Sequence, residues 1–310
     1  MTAEIWIAIL GSAIISATPV LYACIGEIFS ERAGVLNLGL EGIMLMGAVM
    51  AFITASSTSN LGLAILVTML TGALMGLLYA FVTVTLRANQ IVAGLAMVFF
   101  GTGLSGFLGK SVSGTAASVT FQHIAIPGLS NIPVVGQALF NQDLMVYTAY
   151  LIVPVAAFYI FKTRPGLKLR AVGENPGALD AVGVNVNLLR YGYVMLGCML
   201  AAIGGAYLTL AYTPAWTDGM TAGKGWIALA LVIFASWNPW KGLAGALLFG
   251  GIDVLGFRLQ AVGVTIPSHI ISMLPYACTV IVLILTTRNF LKKRNSVPAA
   301  LGVSYFREDR

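Results

Sequence analysis

Polar side chains are scarce in this sequence, and the densest group of them falls inside an apolar region. Between Gly26 and Gly42 stand Glu27, Glu31, Arg32, Asn37 and Glu41, interleaved with glycines. A carboxylate placed among hydrocarbon costs about 2.5–3.5 kcal/mol, so it needs a partner or water, and it marks an ion or substrate pathway by default. Asn37 and Glu41 are four residues apart, one helical turn, and share a face. With Asn89, Gln90 and Asp253 they are the candidates to line a substrate path, because amide and carboxylate groups exchange hydrogen bonds with a polar solute without trapping it. Glu31 and Arg32 have a plainer reading as solvated residues of a cytoplasmic turn over 27–33, and Asp253 has one as a helix-to-helix bond. Catalytic chemistry finds no constellation. His123 and His269 lack neighbours at metal-binding spacing, and Gly219–Gly225 misses the spacing of a phosphate loop and its following Ser or Thr. Cys24, Cys198 and Cys278 lie singly in apolar runs and read as packing thiols.

The elements that must position these residues follow from composition. With 58% hydrophobic and 9% charged residues, the chain lies far from soluble proteins, which carry about 25% charged residues. Crossing hydrocarbon takes about 20 apolar residues. Spans are expected near residues 5–26, 34–55, 61–86, 91–109, 144–161, 191–212, 225–240, 242–257 and 269–287. The fold class is therefore all-α, a polytopic transmembrane helical bundle of about nine spans in a single transmembrane domain covering 1–310. The seventh and eighth spans are short and meet at Asn238–Gly242, so a re-entrant pair is an alternative to two crossings. Gly72-Ala73-Leu74 and Gly245-Ala246-Leu247 open similar apolar runs of opposite expected direction, which fits either inverted repeats or chance.

Basic residues concentrate around Arg32, Arg87, 162–190, Lys241 and 288–294. The positive-inside rule makes these loops cytoplasmic, with the N-terminus outside and the C-terminus inside. Lys110, Lys224 and Arg258 then fall outside, and 110–143 is the largest external segment. Inside, the 162–190 loop carries a short helix: Asn175 suits its N-cap, Pro176 its first position and Gly183 a left-handed stop. Such a short helix must dock on something, either the protein's own inner face or a separate soluble subunit.

Glu31-Arg32-Ala33-Gly34-Val35-Leu36-Asn37-Leu38-Gly39-Leu40-Glu41-Gly42, then Leu169-Arg170-Ala171-Val172-Gly173-Glu174-Asn175-Pro176, and later Leu274-Pro275-Tyr276, resemble the permeases of the branched-chain amino acid and simple-sugar group of ATP-binding-cassette importers. The likeness is strongest to the nucleoside-uptake branch. The resemblance implies a subunit that moves nucleosides, or related simple sugars, across the bacterial cytoplasmic membrane and is not itself an enzyme. It implies a second, distinct permease subunit, a cytoplasmic ATPase that holds the ATP and Mg, and an external substrate-binding lipoprotein. No cofactor is expected on this chain. By the same resemblance the loop helix is a coupling helix that seats on the ATPase, with Arg170, Glu174, Asn175 and Asp180 as its contact candidates. The alternative is an ion- or proton-coupled secondary transporter, in which the intramembrane carboxylates would be the ion sites.

Overall fold

A computed structural model of the chain describes residues 3–130, 132–133, 135–261, 273–274, 277, 280, 284 and 297–306. The ninth expected span lies mostly outside the described residues, as do Cys278, His269, Pro275 and Tyr276. Among the described residues, six helices are long and apolar enough to cross a membrane: Ile7–Arg32, Leu40–Thr58, Leu61–Thr85, Gln90–Gly109, Leu144–Lys162 and Val186–Tyr212. They belong to α1 (Ala3–Arg32), α2 (Leu40–Thr58), α3 (Leu61–Ala80, extended by a π-helical turn at Phe81–Thr85), α4 (Gln90–Gly109), α6 (Leu144–Lys162) and α9 (Val186–Tyr207, with a second π turn at Leu208–Tyr212). A small cap separates α4 from α6: β1 (His123–Ala125) pairs antiparallel with β2 (Asn141–Asp143), and α5 (Val135–Phe140) lies between them. His123 sits exposed in this cap.

The bundle is built around α1 and α9, which cross antiparallel at very short range. A β-carbon added to Gly26 would stand 2.4 Å from the Gly197 carbonyl oxygen, and one added to Gly197 would stand 2.6 Å from that of Gly26. Only glycine on both helices allows this approach, the small-residue packing that holds helices together where apolar burial offers no driving force. Further along the crossing Gly204 meets Pro19, which fixes the opposed directions. Helix α3 then packs along α9, with Gly72 and Gly76 against Cys198, and α11 (Pro239–Ala261) packs along α1, with Gly242 near Cys24 and Gly250 against Ala13 and Ala17. Cys24 and Cys198 are both buried in the core.

One expected span is broken at its start, and a second break falls in the expected connection between the spans at 191–212 and 225–240. The one expected over 34–55 is not helical at its start: α1 ends at Arg32, residues 33–39 are irregular, and α2 begins only at Leu40. Gly42 abuts Met97 and Val98 in the middle of α4, so α2 starts level with the middle of its neighbour and not at its end. The second break runs from Thr213 to Gly223. It pairs with the cap through Ala117 N to Pro214 O (3.0 Å) and Gly114 N to Trp216 O (3.3 Å). It then passes along α4, with Trp216 against Gly109, before α10 (Lys224–Ala235) begins. At about 1.5 Å per residue α10 spans only about 18 Å. It is too short to cross alone, and with α11 it forms the pair that meets at Ser236–Asn238.

Helices α7 (Arg164–Glu174) and α8 (Pro176–Ala181) fill the loop after α6. The expected helix is present as α8: Asn175 Oδ1 accepts from Ala178 N at 3.0 Å, Pro176 opens it, and Gly183 has φ +82. Helix α7 was not expected. Thr163 caps it by accepting from Gly166 N at 3.1 Å, and Pro165 follows in its first turn.

Candidate functional site

Breaking a helix inside a membrane frees backbone amides that lipid cannot satisfy, at several kcal/mol each. At the first break side chains take them up. Leu36 N donates to Gln90 Oε1 at 2.7 Å, Asn37 N to Glu27 Oε1 at 2.9 Å, and Gly39 N to Asn37 Oδ1 at 2.9 Å. The Leu36 carbonyl accepts from Tyr79 Oη at 2.5 Å. Asn37 Nδ2 is placed on Cys198 Sγ at 3.4 Å. Asn37 and Gln90 are therefore buried frame residues of the break, while Asn89 sits exposed and caps α4 through Ile91 N and Val92 N.

Glu41 does the corresponding work for the second break. Its carboxylate accepts from Thr221 Oγ1 at 2.5 Å, Gly223 N at 2.8 Å and Gly225 N at 2.7 Å. The two amides are free donors at the start of α10, where a helix N-terminus favours negative charge, and the Thr221 hydroxyl adds a third bond from the segment before it. A side chain on Gly225 would collide with Glu41 itself, at 2.6 Å from its backbone nitrogen. The N-termini of α2 and α10 thus meet through one carboxylate.

The far end of α10 is held by the last turn of α1. Glu31 Oε2 accepts from Trp237 Nε1 at 2.6 Å, and the Arg32 guanidinium donates to the Trp237 carbonyl at 3.1 Å. This corrects the expectation of a solvated turn over 27–33. Helix α1 continues to Arg32, and Glu27 and Glu31 are buried, because α10, α11 and the 33–39 segment close over them.

Lys224, expected on the external side just before a span, is the first residue of α10, half-buried, 3.6 Å from Asp253 Oδ2 on α11. The same carboxylate accepts from Ser16 Oγ at 2.6 Å, and the Lys224 ammonium lies over the Tyr212 ring at 5.5 Å. Next to this cluster a cavity of about 270 Å³ is lined by Ser12, Ile15, Tyr212, Val254 and Arg258. Of the path candidates, Asp253 stands beside this cavity, next to Val254 in its lining, while Glu41 holds the start of α10 and Asn37 and Gln90 stand in the frame of the first break. Lys224, Tyr212, Ser16 and Thr221 escaped the sequence reading. Lys224 directly following a Gly-rich segment was the available signal, since a lone cation at the edge of an apolar run needs a counter-ion.

The coupling candidates Glu174, Asn175 and Asp180 lie together on the α7–α8 pair. The Arg170 and Arg32 guanidinium groups both lie over the Phe161 ring, at 6.0 and 5.5 Å. No group of His, Cys, Asp or Glu that could hold a metal is found among the described residues.

Long apolar helices, two breaks sealed by internal side chains and an ion pair beside a cavity define a multi-pass membrane transport protein. A family model described as the permease component of branched-chain amino acid transport systems matches residues 9–283, and the chain belongs to that family. It is 38% identical to a putative glucose ABC transporter permease of Haloferax volcanii, over 97% of this chain and 98% of the relative. It is 38% identical to a nucleoside ABC transporter permease of Lactococcus lactis, over 96% of each. With a guanosine ABC transporter permease of Bacillus subtilis it shares 33% identity over 97% of each, and a second guanosine permease of that bacterium is 21% identical over 85% of this chain. The chain is the permease subunit of an ABC importer, with ATP hydrolysis in a separate ATPase and substrate brought by a binding partner. The gradient-driven alternative does not fit this family.

Proposed function

We propose that this permease translocates nucleosides, and that they pass the N-terminus of α10 beside Lys224, Asp253, Ser16 and Tyr212. The carrying observation is that ion pair with its aromatic neighbour and adjacent cavity. A ring face for the base and a charged, hydroxyl-bearing edge for the ribose are what a molecule with one apolar and one polar side requires. The cavity's roughly 270 Å³ falls just below the roughly 300–1,000 Å³ of complete small-molecule sites. A path finished by a second permease subunit accounts for that. The two guanosine permeases of Bacillus subtilis, unequally similar to this chain, support a partner of distinct sequence.

The same reading takes α1, the 33–39 break, α2 and α3 as one unit, and α9, the 213–223 break, α10 and α11 as its inverted counterpart. Its support is the antiparallel α1–α9 crossing, the exchanged packing of α3 and α11, and the contact of both breaks at Glu41. The Gly-Ala-Leu echoes at 72–74 and 245–247 fall on α3 and α11. The 162–190 loop is cytoplasmic and seats on the ATPase through Arg170, Glu174, Asn175 and Asp180.

Reconstituting the permease with its partner subunits and measuring uptake of radiolabelled guanosine tests the substrate. Unlabelled uridine or adenosine should compete and excess glucose should not. Glucose uptake without guanosine uptake would reverse the assignment.

A further inference from the structure

Residues 297–306 lie against the α7–α8 pair although more than a hundred positions separate them in sequence. Ala300 N donates to the Gly173 carbonyl at 2.8 Å, and Ala299 N reaches a Glu174 carboxylate oxygen at 3.4 Å. Gly302 N donates to the Gly34 carbonyl at 3.3 Å, in the first break. The buried Arg190 guanidinium, on the first turns of α9, donates to the Val303 carbonyl at 3.2 Å. The Phe306 ring lies under the Arg87 guanidinium at 4.3 Å. One short segment therefore joins the end of α7, the first break, α9 and the turn before α4.

Two features give this segment a use. Helix α8 has six residues, too few to hold its shape without support, and α7 is anchored to the bundle at Gly173, whose added β-carbon would stand 2.2 Å from the Arg32 carbonyl oxygen and 3.3 Å from Pro298. The α7–α8 pair and the segment also carry exposed apolar side chains outside any span: Val182 and Val303 are 73% and 57% exposed, and Leu167 and Val297 are exposed as well. Tyr305 shares one surface pocket with Asp180, Gly183 and Val184, which brings the segment beside the end of α8, and exposed apolar groups gathered on an aqueous surface mark a protein contact.

We propose that residues 297–306 form a strap that braces α7–α8 and completes, with Val182 and Val303, a single docking surface for the ATPase, linking that surface to the first break through Gly34. The proposal rests on the reading of 162–190 as the coupling loop. Because the strap touches Gly34, a push on α7–α8 reaches the break without passing through α8 alone.

Hydrogen–deuterium exchange on the permease alone, in nanodiscs, tests the brace without the ATPase. Ala300→Pro removes the amide donated to Gly173, and a chain ending at 296 removes the strap. Both should speed exchange across 164–183 by about fivefold to tenfold while the transmembrane helices keep their protection. Unchanged exchange in both variants overturns the brace. In the purified complex, benzoylphenylalanine in place of Val303 should photo-crosslink to the ATPase, as it should in place of Val182. Capture from 182 without capture from 303 overturns the shared surface but leaves the coupling loop in place. Capture from neither removes the coupling reading together with the proposal.

Discussion

The Thr221 hydroxyl donates to the Glu41 carboxylate at 2.5 Å across 180 positions of sequence, and with Gly223 N and Gly225 N it ties the start of α10 to the start of α2. Glu41→Gln keeps the shape but turns an amide nitrogen toward donors that need an acceptor. It should cost about 1–3 kcal/mol, read as a lower thermal unfolding midpoint in detergent, with reduced nucleoside uptake and continued assembly. Glu41→Ala should cost more, since three donors lose their acceptor. Wild-type stability in Glu41→Gln would show that the carboxylate's charge is not what holds α10.

Trp237 and Glu31 secure the other end of the same helix. Trp237→Phe deletes the donor at 2.6 Å together with half of the indole, so a buried carboxylate oxygen left short of a partner, at about 1–3 kcal/mol, adds to the cost of a cavity. Trp237→His, which keeps a ring N–H, should recover part of the loss. The comparison is made by thermal unfolding of the three purified proteins. A Trp237→His midpoint below that of Trp237→Phe, following side-chain volume, would mean that packing and not the N–H donor fixes Trp237.

Single charge removals at the ion pair should hurt more than removing both. Lys224→Met leaves Asp253 held by the Ser16 hydroxyl, and Asp253→Asn leaves a half-buried ammonium beside Tyr212. The double variant should regain much of the stability lost by either but not the uptake, because the polar edge offered to the ribose is gone. Thermal midpoints and radiolabelled uptake together separate the two roles. Full uptake by the double variant would place the path elsewhere.

Much of the polar framework was legible as position and not as role. Asn37, Glu41, Gln90 and Asp253 stand out because polar atoms are conspicuous in apolar runs. Their partners do not: the amides that Glu41 satisfies belong to residues 223 and 225, and no local spacing announces such a pairing. The break at 33–39 was legible in part: Gly34 and Gly39 allow one, but apolar Val35, Leu36 and Leu38 read as span, with Ala33 closing the turn before it. Glu27 and Glu31 misled in the opposite direction, their charge suggesting a solvated turn where later helices bury them. The α8 helix was readable in full because Asn175, Pro176 and Gly183 act within one turn of their effect. Thr163 and Pro165 carried the same kind of signal for α7 and were overlooked beside the apolar end of α6.

Orientation gives a separate test. In a background lacking the native cysteines, Ser130→Cys should react with a membrane-impermeant thiol reagent from outside intact cells, and Ala178→Cys only after permeabilisation. The cap carrying Ser130 and the α7–α8 pair carrying Ala178 lie at opposite ends of α6, so the two sites must label from opposite sides. The reversed pattern would invert the assignment of every loop.

The two breaks also set an order for making the protein. The first has most of its amide acceptors early: Glu27 precedes it, Asn37 lies within it, and Gln90 follows two helices later. Glu41 waits far longer, because its donors are synthesised only after α9 has entered the membrane. Until then a half-inserted chain carries the Glu41 carboxylate at the base of α2 without its three donors, and Glu31 waits longer still for Trp237.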